Sequence, residues 1–224
     1  MKISVIVPAY REGERAAQLI HRLARNMKVY EVIVSAVDCE KTLRPLLRNV
    51  PKVKFYEAPK RGRGPQLNFG AAAAKGDLLL FLHADSRLEK GALEEMEAAI
   101  RSKKVFGGAF RLKFDHPAFK YRVKEWGVEL RSRLIGLPYG DQGYFVTREL
   151  FERLEGFSNW PLFEDVDFFD RFKALRPWVL LRSHVVTSPR RWEAKGYWTA
   201  TFKNIFLILL YKLGVPPKRF ASYY

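Results

Sequence analysis

Apolar residues fall along this chain in two rhythms, and the change from one to the other marks the elements. Leu78 to Leu82 is a continuous apolar run without polar alternation, which predicts a strand covered on both faces, and Ile3 to Val7 and Val32 to Val37 also read as strands. Glu14 to Asn26 instead carries Ala17, Leu19, Ile20, Leu23 and Ala24 at the spacing of an amphipathic helix. Leu43 to Asn49 reads as a short helix and Val53 to Tyr56 as a further strand before Pro59, while Pro8 is expected to stop the first strand. The alternation of strand and helix predicts right-handed crossovers and a parallel α/β sheet with helices on both faces. A Gly/Arg-rich turn, Lys60 to Pro65, leads into a helix over Gln66 to Lys75, and a helix over Gly91 to Ser102 follows the Leu78 strand.

Downstream the alternation weakens. Gly107 to Phe114 predicts a strand, Tyr121 to Leu134 an amphipathic helix, and Gly143 to Thr147 a short strand feeding a helix over Arg148 to Leu154. Tyr197 to Leu213 is helical in pattern, with Trp198, Phe202, Ile205, Phe206, Leu209, Leu210 and Leu213 three and four residues apart. Gly214-Val-Pro-Pro217 ends it.

With 224 residues, 48% of them hydrophobic, the chain has enough apolar side chains for a full core, which rules out a disordered class. A single cysteine, Cys39, excludes an intramolecular disulfide and a cysteine-based zinc cluster, in keeping with a reducing cytoplasm. Forty Lys and Arg against 24 Asp and Glu give a net charge of +16, which predicts attraction to something anionic: nucleic acid, phosphorylated small molecules or an acidic membrane face. The start lacks the pattern of a secretory signal, so secretion is not expected. The longest later apolar run, Ile205 to Tyr211, is seven residues, against the roughly 20 that a spanning helix takes, so no membrane span is expected.

The candidate chemistry gathers at strand ends. The Leu78 to Leu82 run delivers His83, Ala84 and Asp85 to its carboxyl end, the side on which parallel sheets bind ligands. Acidic residues return in Phe163-Glu-Asp-Val-Asp-Phe-Phe-Asp170, behind the aromatic frame Trp160-Pro-Leu-Phe163. A helix beginning with acids is favoured by its dipole, which accounts for any one of these carboxylates but not for the aromatic frame.

Val5-Ile-Val-Pro-Ala-Tyr10-Arg-Glu12, Asn68-x-Gly70 with Ala74-Lys-Gly76-Asp, Phe81-Leu-His-Ala-Asp85 and Glu164-Asp165 together resemble the ordered motif set of family 2 glycosyltransferases with the GT-A fold. Gly62-Arg63, Gln66, Gly140-Asp-Gln-Gly143, Trp160-Pro161, Ser188-Pro-Arg-Arg-Trp192 and Leu213-Gly-Val-Pro-Pro217 resemble a small bacterial branch of that family. The resemblance runs nearly end to end. It implies a Rossmann-like, mostly parallel sheet with a C-terminal amphipathic helix, in one domain: a nucleotide-binding half over 1–104, an acceptor and catalytic half over 105–192, and a helical tail over 193–224.

The resemblance also implies roles. Asp85 stands where the family has the last residue of an Asp-x-Asp motif and is expected to hold Mg²⁺ or Mn²⁺ against a nucleotide-sugar diphosphate, with His83 at the first position either a ligand or a hydrogen-bonding partner. Pro8, Ala9, Tyr10 and Glu12 are implied beside the nucleoside, with the Tyr10 ring against the base. The family's base-reading Asp has no counterpart in register, where Ala36 falls, and Asp38 lies two residues later. Arg63, Gln66 and Asn68, in and after a Gly-rich loop that opens a helix, suit phosphate or polar nucleotide edges. Asp165 is implied as the base of an inverting transfer, with Glu164 orienting acceptor or base. Gln142, Arg190, Arg191 and Trp192 are implied near diphosphate or acceptor.

Three function classes follow. The expected one is a nucleotide-sugar-dependent inverting glycosyltransferase, with a UDP-linked donor and a saccharide or lipid-linked acceptor. A nucleotidyltransferase would carry a Gly-rich loop directly after the first strand, and Pro8-Ala-Tyr-Arg-Glu12 has none. A nucleic-acid-binding protein would gather its basic residues, whereas here they are scattered and the acids cluster, so no nucleic acid is expected as a partner. The apolar stripe of the tail, flanked by Arg190, Arg191, Lys195, Lys203, Lys212, Lys218 and Arg219, has the pattern either of a helix packed on the domain or on a second subunit, or of one lying on an anionic membrane surface, which would give a peripheral place on the cytoplasmic face.

Overall fold

The computed structural model describes residues 1–219 apart from 103, 191, 192, 194 and 195, and the backbone alone of 197, 198 and 200. The chain builds one eight-stranded mixed sheet flanked by helices. Its elements are β1 (Ile3–Tyr10), α1 (Glu14–Arg25), β2 (Val29–Val37), β3 (Val53–Glu57), α2 (Arg63–Ala73), β4 (Leu78–Phe81), β5 (Ser86–Leu88) and α3 (Ala92–Arg101). They continue with β6 (Gly107–Phe114), α4 (Phe119–Leu134), β7 (Tyr144–Thr147), α5 (Arg148–Arg153), α6 (Glu164–Leu175), β8 (Val179–Thr187) and α7 (Tyr197–Lys212). The strand order is β3-β2-β1-β4-β7-β6-β8-β5.

The unbroken apolar run is explained by burial on both faces. Along β4 and just beyond it, Leu78, Leu80 and Leu82 join the core beneath α1 and α3, while Leu79 and Phe81 join the opposite core with Leu67 of α2, Phe151 of α5 and Phe168 and Phe172 of α6. β1, β2, β3 and β4 pair in parallel as the alternation predicts. β7 then enters antiparallel to both β4 and β6, and β8 lies parallel to β6. β5, from the N-terminal half, crosses to the far edge and pairs antiparallel with β8, so the two halves share one continuous sheet.

Three expectations are corrected. β1 does not stop at Pro8 but continues to Tyr10. Leu82 N–H donates to Ile6 O, so backbone groups of this parity in β1 face β4; by Pro8 that strand has ended, and the missing proline N–H costs no ladder bond. The short helix of Leu43 to Asn49 is a single 3-10 turn, Pro45–Leu47, rather than an α-helix. β5 and β8 were not expected, because their polar residues break the pattern and their partners are distant in sequence.

Parting of β1 from β4 creates the site. The two pair from Ile3 with Leu78 to Ile6 with Phe81, after which β4 turns away and β1 stays only with β2. The strand order reverses at β1, and such a switch point opens a crevice at the carboxyl ends. At the amino ends, buried Glu31 accepts from Ser4 Oγ at 2.7 Å, Lys54 Nζ at 2.6 Å and Lys75 N–H at 2.5 Å. Burial works to raise the Glu31 pKa, but these donors hold it below its ordinary value.

Candidate active site

A cleft of about 370 Å³ opens at that switch point, lined by Pro8, Tyr10, Glu12, Arg61, Gly62, Arg63, Gln66, His83, Ala84, Asp85, Pro161, Leu162 and Glu164. Its walls come from four separate stretches: the end of β1, the start of α2, the turn after β4, and the start of α6 with the residues just before it. Most of the nucleotide-side residues expected from the sequence therefore meet in one place. Tyr10 lies under the guanidinium of Arg61, 4.1 Å from its ring centroid, with Arg11 at 5.1 Å. Arg61 was not singled out in the sequence; the signal was its place in the Lys60-Arg-Gly-Arg63 turn.

Arg63 is the hub. Its guanidinium bonds Glu164 Oε1, stands 3.1 Å from His83 Nε2 and lies 3.5 Å from Asp165 Oδ2. An arginine can only donate, so the Arg63–His83 bond makes Nε2 the acceptor and puts the proton of neutral His83 on Nδ1. Asp85 is exposed at the mouth of the cleft, at the tip of the turn closed by Ser86 N–H to His83 O at 3.1 Å.

The opposite wall is the start of α6. Phe163, just before the helix, holds a left-handed φ of 62°, a conformation costing a non-glycine residue on the order of 1–3 kcal/mol. It is held there by packing: its ring meets Tyr211 of α7 at 5.4 Å, within an apolar cluster that includes Leu137, Leu162, Val166 and Leu207. The turn sends Glu164 to the cleft wall. Asp165, also buried, sits behind it with Oδ2 accepting the Gly140 N–H at 2.8 Å and Oδ1 accepting the Val166 N–H at 2.9 Å. Gly140 fits because a Cβ there would stand 2.9 Å from Asp165 Oδ2, and Gly64 because a Cβ would reach 2.6 Å from Ser158 O. Burial raises the Glu164 pKa, against the pull of Arg63 and with the added push of Asp165.

Behind this wall lies a second polar group that sequence reasoning passed over. Asp141 is half-buried, with Oδ1 sealed from solvent and unpartnered among the described residues. Burial raises its pKa, Arg131 opposes that rise and Asp165 adds to it. The available signal was the Gly140-Asp-Gln-Gly143 motif. Lys124 is the basic counterpart: burial pushes its pKa from 10.5 down to about 7, although Asp141 works the other way.

Several expected site residues lie outside the cleft lining or are already engaged by neighbouring groups. Gln142 is completely buried and absent from the cleft lining: its Oε1 accepts from Ser132 Oγ, Tyr139 N–H and Arg131, and its Nε2 donates to Phe110 O. Asn68 is bound both ways to the Phe157 backbone, at 2.7 and 2.8 Å, and does not line the cleft. Gln66 reaches the cleft, but its amide donates to Ala9 O and Ser35 O and so fixes the end of β1. Asp38 is exposed outside the cleft lining, 3.4 Å from Arg11 Nε. Ala9 is buried in the core and absent from the lining. Arg190 is exposed, and Arg191 and Trp192 lie outside the described residues.

The chemistry of the donors around Asp85 fits a divalent cation of limited protein ligation. No group of three or more His, Cys, Asp or Glu gathers among the described residues, and Mg²⁺ or Mn²⁺ in nucleotide sites takes one or two carboxylates and completes its shell with phosphate and water. Asp85 can supply such a carboxylate.

A mixed sheet with parallel β3-β2-β1-β4, a cleft at its switch point and paired acids on the facing helix define the fold as GT-A, the Rossmann-like fold of nucleotide-sugar transferases. The family model described as glycosyl transferase family 2 matches residues 4–158, and the chain belongs to that family. Residues 1–349 of TarS from S. aureus, solved in complex with UDP-GlcNAc, superpose with a TM-score of 0.65 at 20% identity, covering 84% of this chain and 58% of that one. The mannosyltransferase PcManGT from Pyrobaculum calidifontis, solved with GDP-Man and Mn²⁺, gives 0.64 at 17% identity, covering 83% and 56%. The chain thus spans little more than half the length of these structures. No curated protein matches it in sequence.

Proposed function

We propose that the chain transfers a sugar from a nucleotide-sugar donor, UDP-linked in the first instance, to an acceptor hydroxyl with inversion at the anomeric carbon. The observation that carries this reading is the opposition across one cleft of a basic, aromatic nucleotide wall and a buried acidic wall. UDP-GlcNAc in TarS and GDP-Man with Mn²⁺ in PcManGT support the donor class and the cation.

In this reading Tyr10 and Arg61 offer flat faces to the base, and the N-terminal turn of α2 with Arg61 and Arg63 faces the diphosphate. A Mg²⁺ or Mn²⁺ held by Asp85 would neutralise charge that grows on the leaving diphosphate. The acceptor oxygen forms its bond to the anomeric carbon as the bond to the diphosphate breaks. That electron pair leaves with the nucleoside diphosphate, and the acceptor proton passes to a carboxylate. Asp165 takes this proton in the primary reading, with Arg63 and the Gly140 N–H holding its orientation. A second reading gives the proton to Glu164, because Glu164 lines the cleft and burial favours its protonated form.

The test is a panel of UDP- and GDP-sugars with and without Mn²⁺, read by thermal unfolding and by release of the nucleoside diphosphate. A donor at about 100 times its Kd is expected to stabilise the native state by ~2.7 kcal/mol, and only with the cation present. No stabilisation and no diphosphate release across the panel would remove the assignment.

A further inference from the structure

α7 has two unlike faces. Its inner side, with buried Leu207 and half-buried Ile208, Leu210 and Tyr211, packs on Leu137, Leu162, Phe163 and Val166 and so braces the start of α6. Its outer side presents Phe202, Ile205, Phe206, Leu209 and Leu213 to solvent, with Phe206 60% and Leu213 81% exposed. α4 repeats the arrangement: Phe119, Val123, Trp126, Leu130 and Leu134 recur four, seven, eleven and fifteen residues along one exposed face. Phe119 is 79% and Trp126 66% exposed. The two helices are tied together by Lys124 Nζ to Thr201 Oγ1 at 3.4 Å, and Val123 and Phe202, each a sequence neighbour of one of these residues, are both exposed. Ten large apolar side chains then expose on the order of 1,000 Å², well above the patch an ordinary monomer carries.

The charge around this face selects its occupant. Residues 194–224 contain five Lys and Arg and no Asp or Glu. On α4 the acids Glu125 and Glu129 are already engaged, Glu125 by Arg122 and Glu129 by Arg111 and Arg133. Lys120, Lys203, Lys218 and Arg219 are exposed around the stripes. A second copy of a chain carrying +16 would bring like charges together around the same face, whereas an anionic lipid surface supplies the opposite charge and takes up apolar side chains beneath it. No helix among the described residues is long and apolar enough to cross a bilayer, and two short stripes with basic margins suit lying on one.

We propose that the paired outer faces of α4 and α7 dock this chain on an anionic membrane surface, with Trp126 and Phe206 among the inserted side chains. Because the inner face of α7 braces Phe163, the bilayer would lie on the acceptor side of the acidic wall. If the transfer reaction holds, that favours an acceptor anchored in lipid; the docking itself does not depend on that reaction.

The full chain is tested by flotation with phosphatidylcholine vesicles with and without phosphatidylglycerol, at low and high salt and without donor. Binding is expected to the anionic vesicles, to weaken at high salt and to fall about tenfold or more in Trp126→Glu with Phe206→Glu. Both positions are exposed, so the thermal midpoint of the double variant should match the parent. Lys203→Gln with Lys218→Gln should weaken binding by about tenfold while leaving the apolar stripes intact. Failure of the parent to bind at low salt, or binding that the double apolar variant leaves unchanged, would overturn the proposal. So would a dimer, seen by sedimentation equilibrium, that the apolar variant dissolves without any vesicle binding. Calorimetry with UDP-sugar in the same samples reads the donor site separately, so loss of one reading is not mistaken for loss of the other.

Discussion

The two sides of the sheet treat polar side chains in opposite ways. On the β1–β4 side, the parallel strands are mainly apolar, with few polar residues inside them, and most polar groups appear where strands end, as Tyr10, Glu12, His83 and Asp85 facing the cleft. On the β6–β8 side, polar groups go inward: buried Gln142 and Ser132 are hydrogen-bonded, and Gln142 also to Arg131, behind the acidic wall, with Asp141 and Lys124 half-buried, while the apolar stripes of α4 and α7 face outward. A parallel sheet brings its strand ends to one rim, where a ligand can be met with little polar burial. A mixed region has no such common rim, and its polar groups must satisfy one another inside.

This contrast can be broken or sharpened by substitution. The largest effect is expected from the acidic wall: Asp165→Asn should lower kcat about 10³-fold, or ~4 kcal/mol, while calorimetric donor affinity is kept. Under the second reading Glu164→Gln gives that loss and Asp165→Asn a small one, so the pair of variants decides between them.

Gln142→Leu should cost ~3 kcal/mol in chemical denaturation, since it strands a buried carbonyl and several donors, with donor affinity unchanged. A loss of donor binding without loss of stability would return Gln142 to the site. Asp85→Asn, at an exposed turn, should do the reverse: turnover falls about 10²-fold and the metal dependence of donor binding disappears, with the unfolding midpoint unmoved.

The smallest effect concerns Lys124. Its folded pKa is depressed to about 7, so the stability linked to it is present above its ordinary 10.5 and is lost as pH falls through about 7. Lys124→Met should therefore match the parent near pH 10.5 and exceed it by ~2 kcal/mol near pH 6, allowing for partial solvent screening. Parallel pH profiles for the two proteins would mean that Lys124 keeps its proton in the folded chain.

By itself the sequence determined what local patterning controls. Leu78 to Leu82 reads best as a strand buried on both faces and Glu14 to Asn26 as an amphipathic helix, and Pro8, Tyr10, His83, Ala84, Asp85 and Glu164, which the motifs singled out, line one cleft. Tertiary structure decided the rest. Gln142 and Asn68 look like site residues until their partners Phe110 and Phe157 are in place, and β8 is a strand only because β6 and β5 stand beside it. Arg63 is legible as a basic loop residue, but its hold on Glu164 spans 101 positions of chain. Periodicity records which way a side chain faces within its own element, whereas hydrogen-bond satisfaction and desolvation depend on atoms that only folding brings together.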